Sequence, residues 1–253
     1  MKRTLPLLAA IAAYFIGVLL WVGNDRRVAR NTFDTYSALN TGDDGLSLAS
    51  RYLHAKVLTQ PVASQRVAPK GVVFRVVESA VPSEAEESEG KEKEKKPRET
   101  SLGMTEDEYA WLRGGGRLVL ATAGPYGALD IRGTTKTRAT KVFPIWRGID
   151  AIELPEPRTL AGDVVLHNAH TLFALDGKPV VSRIRVGDGE LILLPAPELF
   201  TNAHVANNLA LLVALAGGRP AYFDEVVHGL RSDAGVLELL KEWRLGPFLL
   251  LLL

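Results

Sequence analysis

The chain has 253 residues, enough for one sizeable domain with flanking segments, and its hydrophobic fraction of 47% is typical of a protein with a folded core. Its formal charge of +1 gives no general electrostatic reason to expect nucleic acid as a partner. The absence of cysteine excludes disulfides, thiolate zinc sites, iron–sulfur clusters and a cysteine nucleophile, and we expect no cofactor.

An uncharged apolar run opens the chain over residues 5–22. At 1.5 Å rise per residue, a helix of this length nearly spans a hydrocarbon core of about 30 Å. Bulky Leu20 and Trp21 stand where small residues would precede the cleavage site of a secretory signal. We therefore predict that residues 1–23 form a retained transmembrane anchor rather than a cleavable signal.

The rest of the chain is predicted to form one α/β domain over residues 31–245. Residues 82–100 consist almost entirely of Glu, Lys, Ser and Pro, which predicts a disordered charged insertion within that domain. An apolar run at residues 247–253 is too short to span a bilayer. We interpret it as a possible start of a second transmembrane helix, with a buried chain end as the alternative.

The first elements predicted in the domain are a helix and a strand. Residues 46–53 have helical spacing of apolar side chains, and Asp43 or Asp44 can cap the start of this helix. Residues 71–77 are short, apolar and rich in β-branched side chains, which predicts a core strand.

A second helix and strand follow the charged insertion. Thr105 and Glu108 have the spacing of a capping box and predict a short helix that ends at residues 114–116. Residues 117–122 then predict another apolar strand. A strand, a helix and a strand in this order favour an α/β fold with a mostly parallel sheet.

The next stretch, residues 124–160, has no clear period and is interpreted as a long irregular excursion. Four short strands are predicted after it, with turns at residues 176–177 and 187–189 that favour hairpins or a meander. These strands cover residues 164–166, 171–175, 179–186 and 190–194.

The last predicted elements follow a proline-rich loop. Asn202 can cap a helix over residues 204–216, and Gly217 ends this helix. Residues 221–227 predict a further strand, and a final helix runs towards Trp243.

Several short motifs, taken in this order, resemble the bacterial family called domain of unknown function 4350. The motifs are SALNTGDDGLSL at residues 37–48, GGRLV at 115–119, ELFTN at 198–202, YFDE at 222–225 and HG at 228–229. The similarity runs from about residue 35 to residue 245.

This resemblance implies a single-pass or two-pass protein of the bacterial inner membrane, with its soluble domain on the extracytoplasmic side. It also implies a fold similar to class I glutamine amidotransferases, and genes that lie beside those of MoxR-type AAA ATPases and transglutaminase-like membrane proteins. The family has no established reaction, so the resemblance implies no activity.

True amidotransferases attack glutamine with a cysteine thiolate on a strand-to-helix elbow. This chain has no cysteine and no G-x-S-x-G elbow that would place a serine there instead. We therefore expect a non-catalytic binding or scaffold module whose partners are the bilayer and the MoxR-type AAA ATPase system. We assign no catalytic residue.

Eight polar residues are the candidates for binding a ligand. Three lie where the chain enters the first helix, two follow a core strand at the edge where open α/β sheets hold ligands, and three lie in or just after the last predicted strand. Turn, cap and structural hydrogen-bond roles are the alternatives. The candidates are Asn40, Asp43, Asp44, Glu198, Asn202, Asp224, Glu225 and His228.

The rival hypothesis is a hydrolase that uses Glu198, Asp224 and His228 in a cleft. In an extended segment, Asp224 and His228 lie on one face and can act as orienter and base. His167 and His170 have no acidic ligand cluster beside them, so we predict no metal site. A domain that recognises cell-wall carbohydrate is a third hypothesis, although few aromatic residues lie where stacking platforms are expected.

Basic residues gather in the 124–160 stretch. They can face anionic lipid headgroups or a partner, and a mixed solvated surface is the equal alternative. These residues are Arg132, Lys136, Arg138, Lys141 and Arg147.

Overall fold

A nine-stranded sheet forms the centre of this computed structural model. The predicted anchor, the charged insertion, the strand at 164–166, the final helix and the C-terminal apolar run lie outside the described residues. In the part of the chain that is described, no helix is long and apolar enough to cross a membrane. The described residues are 35–62, 67–78, 104–162 and 167–228.

Three α-helices, three single-turn 3₁₀ helices and eleven strands make up the described part of the chain. The α-helices are α1 (Ser47–Tyr52), α2 (Glu106–Arg113) and α3 (Leu209–Ala216), and the 3₁₀ helices are Pro197–Phe200, Val205–Asn208 and Val226–His228. The strands are β1 (Lys56–Leu58), β2 (Val72–Val77), β3 (Arg117–Thr122), β4 (Asp130–Gly133), β5 (Arg138–Lys141), β6 (Ala151–Glu153), β7 (Arg158–Ala161), β8 (His170–Leu175), β9 (Lys178–Val186), β10 (Gly189–Leu194) and β11 (Ala221–Asp224).

The strand order in the large sheet is β1-β11-β2-β3-β10-β9-β8-β5-β6. The strands from β1 to β10 in this order pair in parallel, and those from β10 to β6 pair antiparallel. A separate antiparallel ribbon joins β4 to β7. The α/β class is confirmed, but the sheet is mixed rather than mostly parallel, because the tight turn at residues 187–188 sends β10 back along β9.

Alternating side chains divide the core into two layers. On β2, Phe74 and its neighbours two residues away face α1 and α3, while Val73 and Val77 face α2 and the β4–β7 ribbon. Both layers are mainly apolar, and all six residues of β2 are buried, Arg75 among them. Burial on both faces explains the nearly continuous apolar sequence of this strand.

Two of the capping predictions have different outcomes. The capping box is confirmed, since Thr105 Oγ1 accepts a hydrogen bond from the Glu108 N–H and Glu108 Oε2 accepts one from the Thr105 N–H. The prediction that Asp43 or Asp44 caps α1 is wrong. Leu46 occupies the N-cap without a side-chain hydrogen bond, and the Leu48 N–H donates to Asn202 from a distant part of the chain.

The predicted helix over residues 204–216 begins as the 3₁₀ helix Val205–Asn208 and becomes α-helical only at Leu209. Asn202 does not cap it, because its side chain is directed to the start of α1. Gly217 ends α3 as predicted, in a left-handed conformation with φ of 60° that favours glycine.

Residues 124–160 are not irregular, and that prediction is wrong. They contain β4, β5 and β6 and the start of β7, each only three or four residues long. Strands this short give too few alternations for a period to be visible in the sequence.

Candidate functional site

Residues 36–46, named here the entry loop, connect with the segments that follow β10 and β11. The loop is closed by hydrogen bonds from Tyr36 N to Asp44 O (3.0 Å) and from Leu46 N to Ser37 O (2.9 Å). Gly45 is required for this closure, because a Cβ at this position would lie 2.0 Å from the Asn40 carbonyl oxygen. The loop is therefore a fixed element that three of the predicted site residues contact.

Asn202 holds the entry loop to the start of α1. Its Nδ2 donates to Gly42 O (2.6 Å) and Asn40 O (3.3 Å), and its Oδ1 accepts from Leu48 N (2.8 Å). Because the last contact satisfies a free N–H in the first turn of α1, Asn202 serves as a helix cap supplied by another part of the chain.

Replacing Asn202 by alanine is expected to lower the free energy of unfolding by about 0.5–2 kcal/mol, the range seen when a capping side chain is lost. Urea denaturation measures this change, and amide exchange at Leu48 should become faster. Asn208→Ala is the matched control, since Asn208 makes one hydrogen bond to the nearby His204 carbonyl. Equal stability of Asn202→Ala and the wild type would contradict the clamping role.

Glu225 fastens the beginning of the entry loop. It is buried, and its two carboxylate oxygens accept from Ser37 Oγ (2.7 Å) and Ala38 N (2.6 Å). Its own N–H donates to Leu58 O (3.1 Å). Both oxygens are thus used by the chain itself.

Glu198 contacts the entry loop from the other side. Its Oε1 accepts from Tyr36 Oη (3.1 Å) and from Arg158 Nη1 (2.6 Å). Its Oε2 is buried and has no hydrogen-bond partner among the described residues. The entry loop and Arg158 therefore enclose this carboxylate, which is 7% exposed as a residue.

Burial raises the pKa of Tyr36 above its ordinary value, and the charge and hydrogen bond of Glu198 raise it further. In the unfolded chain a tyrosine ionises near pH 10, whereas Tyr36 in the folded chain keeps its proton there. The folded state then binds more protons than the unfolded state, so stability falls as the pH rises above about 10.

The Tyr36→Phe variant is expected to lose part of this alkaline decrease in stability. Urea unfolding between pH 8 and about pH 11 measures it, and Tyr109→Phe is the control, because Tyr109 is more than a third exposed. The same slope in the wild type and in Tyr36→Phe would contradict the assigned pKa direction.

Asp224 belongs to a buried ion cluster on the face of the sheet that packs against α2. Arg75 Nε donates to Asp224 Oδ2 (2.8 Å), and Arg75 Nη2 pairs with Glu108 Oε1 on α2. Burial alone would lower the pKa of Arg75, but the charges of Asp224 and Glu108 raise it above its ordinary value. Arg75 therefore stays charged, and it pairs with both carboxylates.

The remaining predicted residues are less buried. Asp43 and Asp44 are exposed, and Asn40 Nδ2 donates to Asp44 Oδ1 (3.0 Å) within the entry loop. His228 ends a 3₁₀ helix, and its N–H donates to Glu225 O (3.1 Å). The extended segment assumed for Asp224 and His228 stops at Asp224, so they are not placed by strand alternation.

The structure thus brings six of the eight predicted residues together in and around the entry loop, and leaves Asp224 and His228 apart from it. Their binding of a ligand stays a prediction. Sequence reasoning missed the partners Tyr36, Arg75, Glu108 and Arg158. Arg75 had a signal, since a charged residue in the middle of an apolar strand requires a buried partner.

Metal binding has no support in the described ranges, which contain no group of three His, Asp or Glu side chains that could hold an ion. A cavity of about 530 Å³ lies among α1, α3 and residues 145–149. Its lining is mainly apolar, with Trp146 and Leu209 among it, and includes none of the eight predicted residues. It offers no carboxylate or imidazole for acid–base chemistry.

Comparison with known proteins identifies no family. No protein-family model matches the chain, and no curated protein matches it. Among solved structures, the exo-beta-1,4-mannosidase Op5Man5 from Opitutaceae bacterium strain TAV5 has 16% identity and a TM-score of 0.29, over 44% of this chain and 22% of that chain.

Two beta-galactosidases are similar at the same level. The enzyme from Bacillus circulans sp. alkalophilus has 13% identity and a TM-score of 0.34, over 59% of this chain and 23% of that one. The cold-adapted enzyme from Rahnella sp. R3 has 13% identity and a TM-score of 0.26, over 42% of this chain and 20% of that one. This chain spans about a fifth of the length of all three proteins, and we take neither fold nor function from them.

Proposed function

We propose that this chain is a non-catalytic binding or scaffold module with an amidotransferase-like fold, which residues 1–23 hold at the bacterial inner membrane with the folded domain on the extracytoplasmic side. Its partner is an assembly that contains a MoxR-type AAA ATPase. The anchor and the partner rest on the sequence and on the resemblance to domain of unknown function 4350. The non-catalytic role rests on the use that the chain makes of its own carboxylates.

The observation that carries this proposal is the enclosure of Glu198 and Asp224. A catalytic acid or base must come within hydrogen-bond distance of the substrate. Glu198 is covered by the entry loop and paired with Arg158, and Asp224 is buried against Arg75. Glu198 Oε1 and the Asp224 carboxylate are therefore used in contacts within the chain, and the hydrolase hypothesis would require the entry loop to move before substrate reached Glu198.

The purified full chain, in neutral detergent, is expected to show no turnover of L-glutamine or of chromogenic esters and glycosides. The variants Glu198→Gln and His228→Ala are tested beside Arg132→Gln, whose side chain is 71% exposed. Turnover by the wild type that either variant abolishes, while Arg132→Gln retains it, would establish the hydrolase and overturn the binding module.

The membrane attachment and the partner are tested separately. The full chain is expected to remain in the membrane fraction after a carbonate wash, and a chain without residues 1–23 is expected in the supernatant. The full chain should also retain the MoxR-type AAA ATPase of the same organism in affinity purification. Recovery of the uncleaved full chain in the aqueous fraction would contradict the anchor, and failure to retain the ATPase would contradict the partner.

A further inference from the structure

A second cavity, of about 360 Å³, lies at the end of the sheet opposite the entry loop. It is lined by the β9–β10 hairpin and by Arg219, which follows α3, and its lining is named here the arginine pocket. The hairpin contributes Arg183, Arg185, Asp188 and Glu190. The lining is therefore mostly charged, in contrast to the apolar cavity beside α3.

Strand register explains why these charges meet. Glu190 on β10 is directly opposite Arg117 on β3 and Arg185 on β9, so the three side chains form a row on one face of the sheet. Arg183 lies two residues further along β9, on the same face as Arg185. Arg219 approaches from the turn after α3, with Nη2 at 3.7 Å from Glu190 Oε1.

The single carboxylate of Glu190 does not balance these arginines. Arg117 pairs with it closely, through Nε at 2.8 Å, whereas Arg183 Nη1 lies 4.0 Å from its Oε2. Four arginines, namely Arg117 and the three in the pocket, face two acidic side chains, Glu190 and Asp188, which leaves an excess of two positive charges. Such a pocket attracts an anion.

The arginines differ in how much hydrogen-bonding capacity remains. Arg117 Nη1 donates to the last carbonyls of α3, and Arg219 Nη1 donates to Gly115 O (2.9 Å). Arg183 is different, since its side chain is only 12% exposed and its Nε is buried without a hydrogen-bond partner among the described residues. A buried donor without an acceptor is costly, and it marks Arg183 as an arginine whose hydrogen-bonding capacity the chain does not fully use.

Arg183 also lies near an aromatic ring. Its guanidinium carbon is 6.0 Å from the centre of the Phe143 ring, at the outer limit of a cation–π contact. A guanidinium presents its N–H groups as a planar fork, which matches the oxygens of a phosphate group. The excess of two positive charges matches the charge of a phosphate monoester.

We propose that the arginine pocket binds a phosphate group, with Arg183 and Arg219 as its main ligands. The group belongs either to a small soluble phosphate or to the headgroup of an anionic phospholipid. Both sources present the same chemistry to the arginines, and only the experiment separates them. This site includes none of the eight candidate residues and does not depend on the proposed binding or scaffold function.

The test uses the full chain in phosphatidylcholine nanodiscs. Inorganic phosphate is titrated at constant ionic strength, with chloride as the reference anion, and binding is measured by calorimetry and by the shift in thermal midpoint. In a second arm, the nanodiscs contain phosphatidic acid. We expect saturable stabilisation in one arm, with an affinity that falls at least tenfold in Arg183→Gln and in Arg219→Gln and is unchanged in Arg51→Gln, an exposed arginine on α1.

The two arms identify the source. Stabilisation by inorganic phosphate supports a soluble ligand, and stabilisation by phosphatidic acid alone supports a lipid headgroup. Arg219 is partly exposed, so its variant should fold even if Arg183→Gln does not. No saturable effect in either arm, or equal effects in Arg219→Gln and the wild type, would overturn the proposal.

Discussion

Replacing Arg75 by methionine is expected to lower the free energy of unfolding by about 3–5 kcal/mol. The arginine lies between Asp224 and Glu108, and all three side chains are buried. Its removal leaves two carboxylates without a counter-charge in the interior, where solvation by water is absent. Urea unfolding of the purified chain measures the change.

A combined variant distinguishes the loss of charge balance from the loss of packing. In Arg75→Met with Glu108→Gln and Asp224→Asn, no charge of this cluster remains, so we expect the combined variant to be more stable than Arg75→Met alone. Arg132→Met is the control, because its pair with Asp130 is exposed and should contribute less than about 1 kcal/mol. A loss below about 1 kcal/mol in Arg75→Met would contradict the role of the cluster.

The second large effect is expected from Phe74→Ala, at about 3–5 kcal/mol. Phe74 is fully buried on β2, stacks on Phe223 with ring centres 5.1 Å apart, and meets the edge of Phe200 at 6.0 Å. Phe200 ends the helical turn that carries Glu198, and Phe223 lies just before Asp224. The substitution therefore removes the packing beneath both segments, and the cavity that remains adds to the loss.

Phe143→Ala is the matched control for this substitution. Phe143 is 45% exposed and touches Arg183 rather than the core, so we expect a change below about 1 kcal/mol. Urea unfolding of both variants gives the comparison, and amide exchange at residues 197–202 should accelerate only in Phe74→Ala. Similar losses in the two variants would contradict the central position of Phe74.

The central strands β2 and β3 of the parallel half were predictable because they are buried on both faces. The sequence interval 71–77 contains β2, and 117–122 coincides with β3. The capping box of Thr105 and Glu108 was equally predictable, since its hydrogen bonds join residues three apart. The sequence of each of these segments is enough to predict its secondary structure, and contacts with the rest of the chain do not alter it.

The candidate site was predictable only in outline. The position of Glu198 after a buried strand was visible in the sequence, whereas Glu225 was predicted inside a strand that in fact ends at Asp224. Their partners Arg158 and Ser37 are 40 and 188 residues away. Asn202 shows the same limit, because its local position favours a cap for the next helix and the fold uses it for α1 instead. Contacts between residues so far apart in the chain produce no regular spacing, so they cannot be predicted from a single sequence.

The bond between Arg158 and Glu198 has a consequence for how this domain can change in evolution or in the laboratory. Arg158 belongs to the stretch between β3 and β8. This stretch separates β3 from its parallel neighbour β10 in the sequence, as an insertion into the parallel sheet would. Since it supplies the counter-charge for a carboxylate next to the entry loop, a shortened chain without that stretch would also have to replace residue 198 with a neutral side chain. The inserted strands and the parallel sheet are therefore not independent modules.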